Sequence, residues 1–341
     1  MPDFQKLFDV KKTGDNTFIA NHPLTKAHPS AKGVYGGNIV GQAVLVAIKS
    51  VPDGFTPHSI HSYFAKIVSE TQPIGWEVDE ISNGNNFCCR CVRAVQDGDV
   101  KFVATVSLTR KNSLSQAEKA YREYEEKEQL KIERRRTARA NGGEIDDDDD
   151  DDDDDEPVID KPFHFLVPYP KWLADADLDE LYIDRRTSLR MIYHKIPATL
   201  VSLEGSEYEN DMHVTDRRAA WFVRLGLGDV KITDPAFQFA ALAVLSDSMF
   251  LTRIARVLRI SDVDLNDYAH YFSISMDHTI FFHDTDFDAT EWMGFAFKAI
   301  RYSNGRFLLE AQMYNSARQH VATIFQEGLA HFNGIEKSAK L

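Results

Sequence analysis

Apolar and polar positions along the chain repeat one pattern twice: a stretch apolar at almost every position, then runs that alternate. The first stretch spans about Asn38 to Val51 and is entered through Gly36 and Gly37. The second opens at Asp234-Pro235, a capping residue followed by proline at the first helical position, and continues to Leu251. A helix that is apolar on all sides belongs inside a core. The alternating runs read as strands: His58–Ser69, Gly75–Ile81, Asn86–Val95 and Lys101–Arg110 after the first helix. Tyr271–His283, Trp292–Tyr302, Arg306–Asn315 and Gln319–His331 follow the second. Ser82-Asn83-Gly84-Asn85, Gln96-Asp97-Gly98-Asp99 and Ser303-Asn304-Gly305 are hairpin signals between them. Val10–Ala20 reads as an edge strand, and Tyr193–Leu203 and Asp211–Leu225 as strands leading into the second half.

Local sequence repeats with the elements. Ile81-Ser-Asn-Gly answers Tyr302-Ser-Asn-Gly, and Phe102-Val-Ala-Thr answers His320-Val-Ala-Thr, each at the matching place in its half. The order helix then four strands, met twice, indicates an internal duplication. In each unit the sheet buries its helix most economically by curling round it.

Between the halves the pattern breaks. Ser113 to Ala140 is dominated by Gln, Glu, Lys and Arg and reads as an exposed helix with charge pairs at helical spacing. Asp146 to Glu156 is an unbroken acidic run, expected to be solvated and disordered. It lacks the spaced ligands and glycine turn of a calcium loop. The run accounts for eleven of the charges behind the net −14, so the rest of the 341 residues sits near −3. The domains expected are a first unit over 1–114, a charged insert over 115–160, a second unit over 161–335 and a tail over 336–341. No basic face suited to nucleic acid is visible, and no stretch is long and apolar enough to span a membrane.

Cys88, Cys89 and Cys91 lie within one strand-like run. The C-x-x-C spacing of Cys88 and Cys91 sends their thiols to opposite faces of a strand, so neither a metal site nor a redox pair is expected. A reducing compartment is the simpler reading of three such cysteines. The residues Ser338-Ala339-Lys340-Leu341 resemble the Ser-Lys-Leu peroxisomal address. Ala339, Lys340 and Leu341 would then engage a peroxisomal import receptor.

One residue in the second apolar stretch carries chemistry. Asp247, between Ser246 and Ser248, places a carboxylate where burial is costly unless it is paired or hydrogen-bonded. The following run presents Ser273, Ser275, Asp277 and Thr279 in alternation, which would put Asp277 rather than His278 on the face of Ser275. The Gly36-Gly37 helix entry can bring backbone N–H groups to an anion or a polarised carbonyl, or can serve tight packing alone. No GxGxxG, P-loop or G-x-S-x-G pattern is present.

Several segments together resemble one family: Gly33-Val-Tyr-Gly-Gly-Asn-Ile-Val-Gly-Gln-Ala, His58-Ser-Ile-His-Ser-Tyr-Phe, Ser246-Asp247, Met276-Asp-His-Thr-Ile-Phe-Phe-His and Phe325-Gln-Glu-Gly. They are similar to the TesB-like (type II) acyl-CoA thioesterases, whose eukaryotic members are peroxisomal. The resemblance implies an α+β double hotdog, a fatty acyl-CoA substrate, no cofactor or metal, and a homodimer. It also implies a catalytic trio of helix carboxylate, strand hydroxyl and last-strand glutamine, carried here by Asp247, Ser275 and Gln326. Gln42 and Leu108 stand in the corresponding regions of the first half, so one site per chain is expected, with Gly36 and Gly37 as substrate-binding candidates. A non-catalytic acyl-CoA-binding protein and a hotdog enoyl-CoA hydratase are the alternatives. The hydratase would need a histidine shortly after its Asp, and Ser248-Met-Phe-Leu-Thr-Arg supplies none.

Overall fold

The computed structural model describes residues 3–29, 31–140, 158–181, 183–184, 191–197, 209–226, 231–248, 254–260, 272–334 and 337. In chain order its elements are helix α1 (Phe4–Phe8), strands β1 (Val10–Gly14) and β2 (Thr17–Ala20), helix α2 (Gly36–Lys49), and strands β3 (Thr56–Phe64), β4 (Gly75–Asn83), β5 (Phe87–Gln96) and β6 (Asp99–Thr109). Helices α3 (Leu114–Ala140) and α4 (Lys171–Ala174) follow, then strands β7 (Ile183–Asp184), β8 (Ile192–Lys195) and β9 (Arg218–Leu225). Helices α5 (Pro235–Ser246) and α6 (Ile254–Val257) precede strands β10 (Phe272–Ser275), β11 (Asp277–Phe282), β12 (Met293–Ser303), β13 (Arg306–Tyr314) and β14 (His320–His331).

The chain forms two compact units: 1–112 with 167–341, and Ser113–Leu166. In the larger unit the strands run β1-β2-β4-β5-β6-β3-β11-β14-β13-β12-β9-β8-β7, with β10 also on β14. Read outward from the β3–β11 junction, the two halves have the same order: β3, β6, β5, β4 and β11, β14, β13, β12. This is the double hotdog the family resemblance implied. The sheet is continuous because Ile60 pairs with Ile280 and His61 with Thr279 across the junction. Two-residue turns at Asp97-Gly98 and Asn304-Gly305 have positive φ at both residues, the turn chemistry that closes hairpins without splaying the strands.

The two central helices lie side by side in opposite directions. A Cβ on Gly37 would stand 2.7 Å from the Val244 carbonyl oxygen, and one on Gly41 2.7 Å from that of Ala240. The backbones therefore touch, and only glycine leaves room. Val40 and Val44 of α2 and Leu242 and Leu245 of α5 are completely buried. Leu173, Ala220, Phe222, Ala296 and Tyr314 form a second, smaller cluster, against which Tyr169, Leu178 and Leu181 pack.

At the end of the helix pair formed by the α2 C-terminus and α5 N-terminus, α1 closes the core. Phe4 and Phe8 are fully buried, and Phe4 meets Phe237 edge-on. Gln42, a candidate position of the first half, donates to the Phe8 carbonyl at 3.0 Å and accepts from Trp76 Nε1 at 3.0 Å. Its amide is spent on holding α1 and β4.

Several expectations are corrected. Val10–Ala20 is a hairpin rather than one strand, because Asp15-Asn16 turns the chain. The strand read over Tyr193–Leu203 is β8, Ile192–Lys195, with 198–203 outside the described residues. The run Asp211–Leu225 becomes a strand only from Arg218. The smaller unit is built on α3, whose face carries pairs such as Lys119–Glu123 and Glu128–Lys131. The acidic run 146–156 and the terminal residues 338–341 lie outside the described residues.

Candidate active site

Asp247 ends α5. With φ −92° and ψ 2° it is the C-cap, not the mid-helix residue the apolar run implied. A carboxylate there faces the negative end of its own helix dipole. The antiparallel partner compensates: the Gly37 N–H, in the first turn of α2, donates to Asp247 Oδ2 at 2.8 Å. Gly36 must be glycine-sized, since a Cβ there would sit 2.8 Å from Asp247 Oδ2 and 3.1 Å from the Phe64 ring. The first half thus supplies part of the Asp247 surroundings. Tyr35, the N-cap of α2, donates its hydroxyl to the Val244 carbonyl at 3.0 Å and ties the two helix ends together.

Gln326 projects from β14 and is fully buried. Its Nε2 donates to Asp247 Oδ1 at 2.8 Å and to Ser275 Oγ at 2.7 Å. One amide group therefore joins the carboxylate and the hydroxyl. Desolvation lifts the Asp247 carboxyl from 3.8 to about 6, and the bonds from Gln326 and Gly37 oppose that rise. The same carboxylate, after burial itself, pushes the Tyr35 phenol further up.

Strand geometry at this point differs from the single run expected over Tyr271–His283. Ser275 of β10 pairs with Gly328, whereas Thr279 of β11 pairs with Phe325, so the register slips by one residue across Met276. Such an irregularity re-aims side chains and is common beside active sites. Here it reverses the alternation. His278, not Asp277, turns into the core and bonds Ser246 Oγ through Nε2 at 2.8 Å. Asp277 accepts the Glu327 N–H at 2.7 Å, and its half-buried carboxyl is raised mainly by desolvation. The expectation that Asp277 shares the face of Ser275 is overturned by this slip.

Among the described residues the first half lacks a matching set. Where α5 ends in Asp247, α2 ends in Ser50, whose hydroxyl donates to the Ala47 carbonyl, and Leu108 is fully buried on β6. Gly36 and Gly37 play unequal parts. The Gly37 N–H is used by Asp247, while the Gly36 N–H has no acceptor among the described residues. Sequence reasoning missed Tyr35, Phe64 and the His194–Ser248 hydrogen bond beside Asp247. Tyr35 and Phe64 lie inside segments that carry the family resemblance, but nothing in their spacing announced long-range partners. Among the described residues no cluster of His, Cys, Asp and Glu is arranged to hold a metal ion.

Comparison with known proteins shows the family. Residues 24–109 match the family model described as acyl-CoA thioesterase N-terminal domain, and residues 194–330 match the acyl-CoA thioesterase C-terminal domain. The chain is 24% identical to a peroxisomal acyl-coenzyme A thioester hydrolase 1 of Saccharomyces cerevisiae, covering 96% of this chain and 94% of that protein. It is 25% identical to acyl-coenzyme A thioesterase 8 of Rattus norvegicus over 88% of this chain and 81% of that one. The crystal structure of the acyl-CoA thioesterase II TesB2 from Mycobacterium marinum shares the fold, with a TM-score of 0.67, 19% identity, and coverage of 97% and 99%. Both halves match, in the order and at the places where the two helix-and-sheet units stand, and the chain belongs to the acyl-CoA thioesterase family.

Proposed function

We propose that the chain, an acyl-CoA thioesterase, hydrolyses fatty acyl-CoA to fatty acid and CoA by attack of a water activated at Asp247. The observation that carries this reading is the single Gln326 amide bonded to both Asp247 and Ser275. With its Oγ accepting from Gln326, Ser275 keeps its own proton to donate to a water, which in turn donates to Asp247. A carboxyl near 6 is ionised at neutral pH and more basic than an ordinary carboxylate. The water's proton passes to Asp247 as its oxygen bonds the thioester carbon, and the C–S bond breaks with CoA leaving as thiolate. A simple thiol ionises near ~8.5, so the leaving group needs little acid assistance. The Gly36 N–H, at the positive end of α2, is the donor available to the carbonyl oxygen as it gains charge. Ser275 is not the nucleophile in this scheme, because its partner is an amide that cannot take its proton.

Thiol release from a panel of acyl-CoAs, wild type beside Asp247→Asn, tests the assignment. Turnover should fall by about 10²–10⁴ in the variant while acyl-CoA binding persists. Equal rates would remove Asp247 from the mechanism, and binding without turnover by the wild type would leave an acyl-CoA-binding protein. A peroxisomal location, reached through the import receptor, is supported by the name of the S. cerevisiae relative. Deleting Ala339-Lys340-Leu341 from a fluorescent fusion should then disperse it, and unchanged puncta would sink that route. A homodimer fits the family resemblance, and the mass in solution by light scattering tests it.

A further inference from the structure

Two buried acceptor-bearing side chains beside the candidate site are left incomplete by the bonds described so far. Gln326 uses Nε2 on Asp247 and Ser275, and its Oε1 is buried with no partner among the described residues. His278, 0% exposed on β11, bonds Ser246 Oγ through Nε2, and its Nδ1 is likewise buried without a partner. The two side chains are neighbours: contact with Gln326 favours a proton on the His278 ring, against the stronger effect of burial. Burial wins and the ring is held neutral. It is too weak a base to take a proton from water and carries no charge to lend.

What a neutral imidazole can do is choose a tautomer. The Ser246 hydroxyl has one proton and two acceptors within reach, the Ala243 carbonyl at 2.9 Å and His278 Nε2 at 2.8 Å. Given to Ala243, it forces the ring proton onto Nε2 and leaves both Nδ1 and Oε1 bare, two buried lone pairs with no donor. Given to His278, it puts the ring proton on Nδ1, and that N–H is the donor Oε1 lacks. Burial of unmatched acceptors is the costlier outcome, so the second arrangement is favoured.

We propose that His278, with its tautomer set by Ser246, is a positioning residue that fixes which way the Gln326 amide faces. The two faces of that amide are nearly isosteric. Reversed, it would present a carbonyl oxygen to the Asp247 carboxylate and no donor to Ser275, and the water site would be lost. Shape alone does not prevent the reversal. A donor on the far side of the amide does.

The inference rests on the thioesterase reading above, and its first test is independent of activity. A long-range ¹H–¹⁵N spectrum of histidine-labelled wild type should show His278 neutral from pH 5 to 8 with the proton on Nδ1. A proton on Nε2, or a titration near the free-histidine value, overturns the proposal. The second test is a cycle. His278→Leu should lower kcat ~100-fold, the scale of a misplaced catalytic group, with KM changed less than about threefold. His278→Asn, whose side-chain N–H can stand where Nδ1–H stood, should recover most of that loss. In a Gln326→Ala background, His278→Leu should cost nothing further. Equal losses in both backgrounds, or no rescue by Asn, would mean that His278 does not act through Gln326. A wild type inert toward every acyl-CoA would instead fault the thioesterase reading and leave the tautomer result standing.

Discussion

Asp247 is held in a compromise between basicity and burial. Its carboxyl, ordinarily at 3.8, stands at about 6 because desolvation outweighs the bonds from Gln326 and Gly37. Two consequences have opposite signs. With Asp247 as the proposed base, activity requires the ionised form, so kcat/KM should rise about tenfold per pH unit up to about 6 and then level, as a pH–rate profile will read. Stability moves the other way. As pH rises from about 4 to about 6 the unfolded chain loses this proton first, so folding weakens through that window and is flat above it. The full penalty is up to ~3 kcal/mol. Asp247→Asn should therefore be nearly inactive yet more resistant to urea at pH 7.5 than wild type, with the difference gone at pH 4. An unchanged midpoint would argue against a strained carboxylate. At Ser275 the hydroxyl is what matters, since it meets Gln326 at 2.7 Å. Ser275→Ala should lose about 10–100-fold in kcat, while Ser275→Thr should stay within a few-fold.

At the scale of elements, α2 and α5 touch along glycines, and the site sits at one end of that contact. Gly41 faces the Ala240 carbonyl in mid-contact, and Gly37 faces the Val244 carbonyl while donating to Asp247. Gly41→Ala should cost about 1–3 kcal/mol in urea unfolding, the range for overpacking, with kcat of the folded enzyme largely kept. Gly37→Ala should show a similar loss of stability and also lose activity, because pushing the helices apart there lengthens the bond to Asp247. If both variants kept full activity, the α2 N-terminus would not be tuning the carboxylate. The glycines were legible in the sequence as a pair before an apolar run, but packing and ligand binding gave the same signal. The contact with Val244 and Asp247 separates those readings, and it joins residues some two hundred positions apart in the chain.

Over the whole molecule, the two ends of the helix pair carry different side chains. The end formed by Asp247 and the α2 N-terminus carries Gln326 and Ser275. The opposite end is packed with Phe4 and Phe8 from α1, fastened through Gln42 and through the Lys49–Asp9 pair at 2.8 Å. Phe8→Ala should cost about 3–5 kcal/mol and leave kcat near wild type, since the cavity opens away from the carboxylate. Thermal melts and thiol release on the same preparation check both halves of that expectation. A large loss of kcat would mean that the two ends communicate.

The sequence by itself determined the double helix-in-sheet fold, because period, turn residues and repeat order are local properties that burial then obeys. It also singled out Asp247 as a carboxylate in an apolar run, whereas Ser275 and Gln326 entered the trio only through the family resemblance. It could not give helix ends or strand breaks. Asp247 looked like a helix interior because Met249, Phe250 and Leu251 continue the apolar run, yet the described helix stops at Ser246. Only the tertiary structure decided that Asp247 would meet Gly37 and that a one-residue slip at Met276 would turn His278 inward. A slip in register is set by which strand pairs with which, and so is every face beyond it.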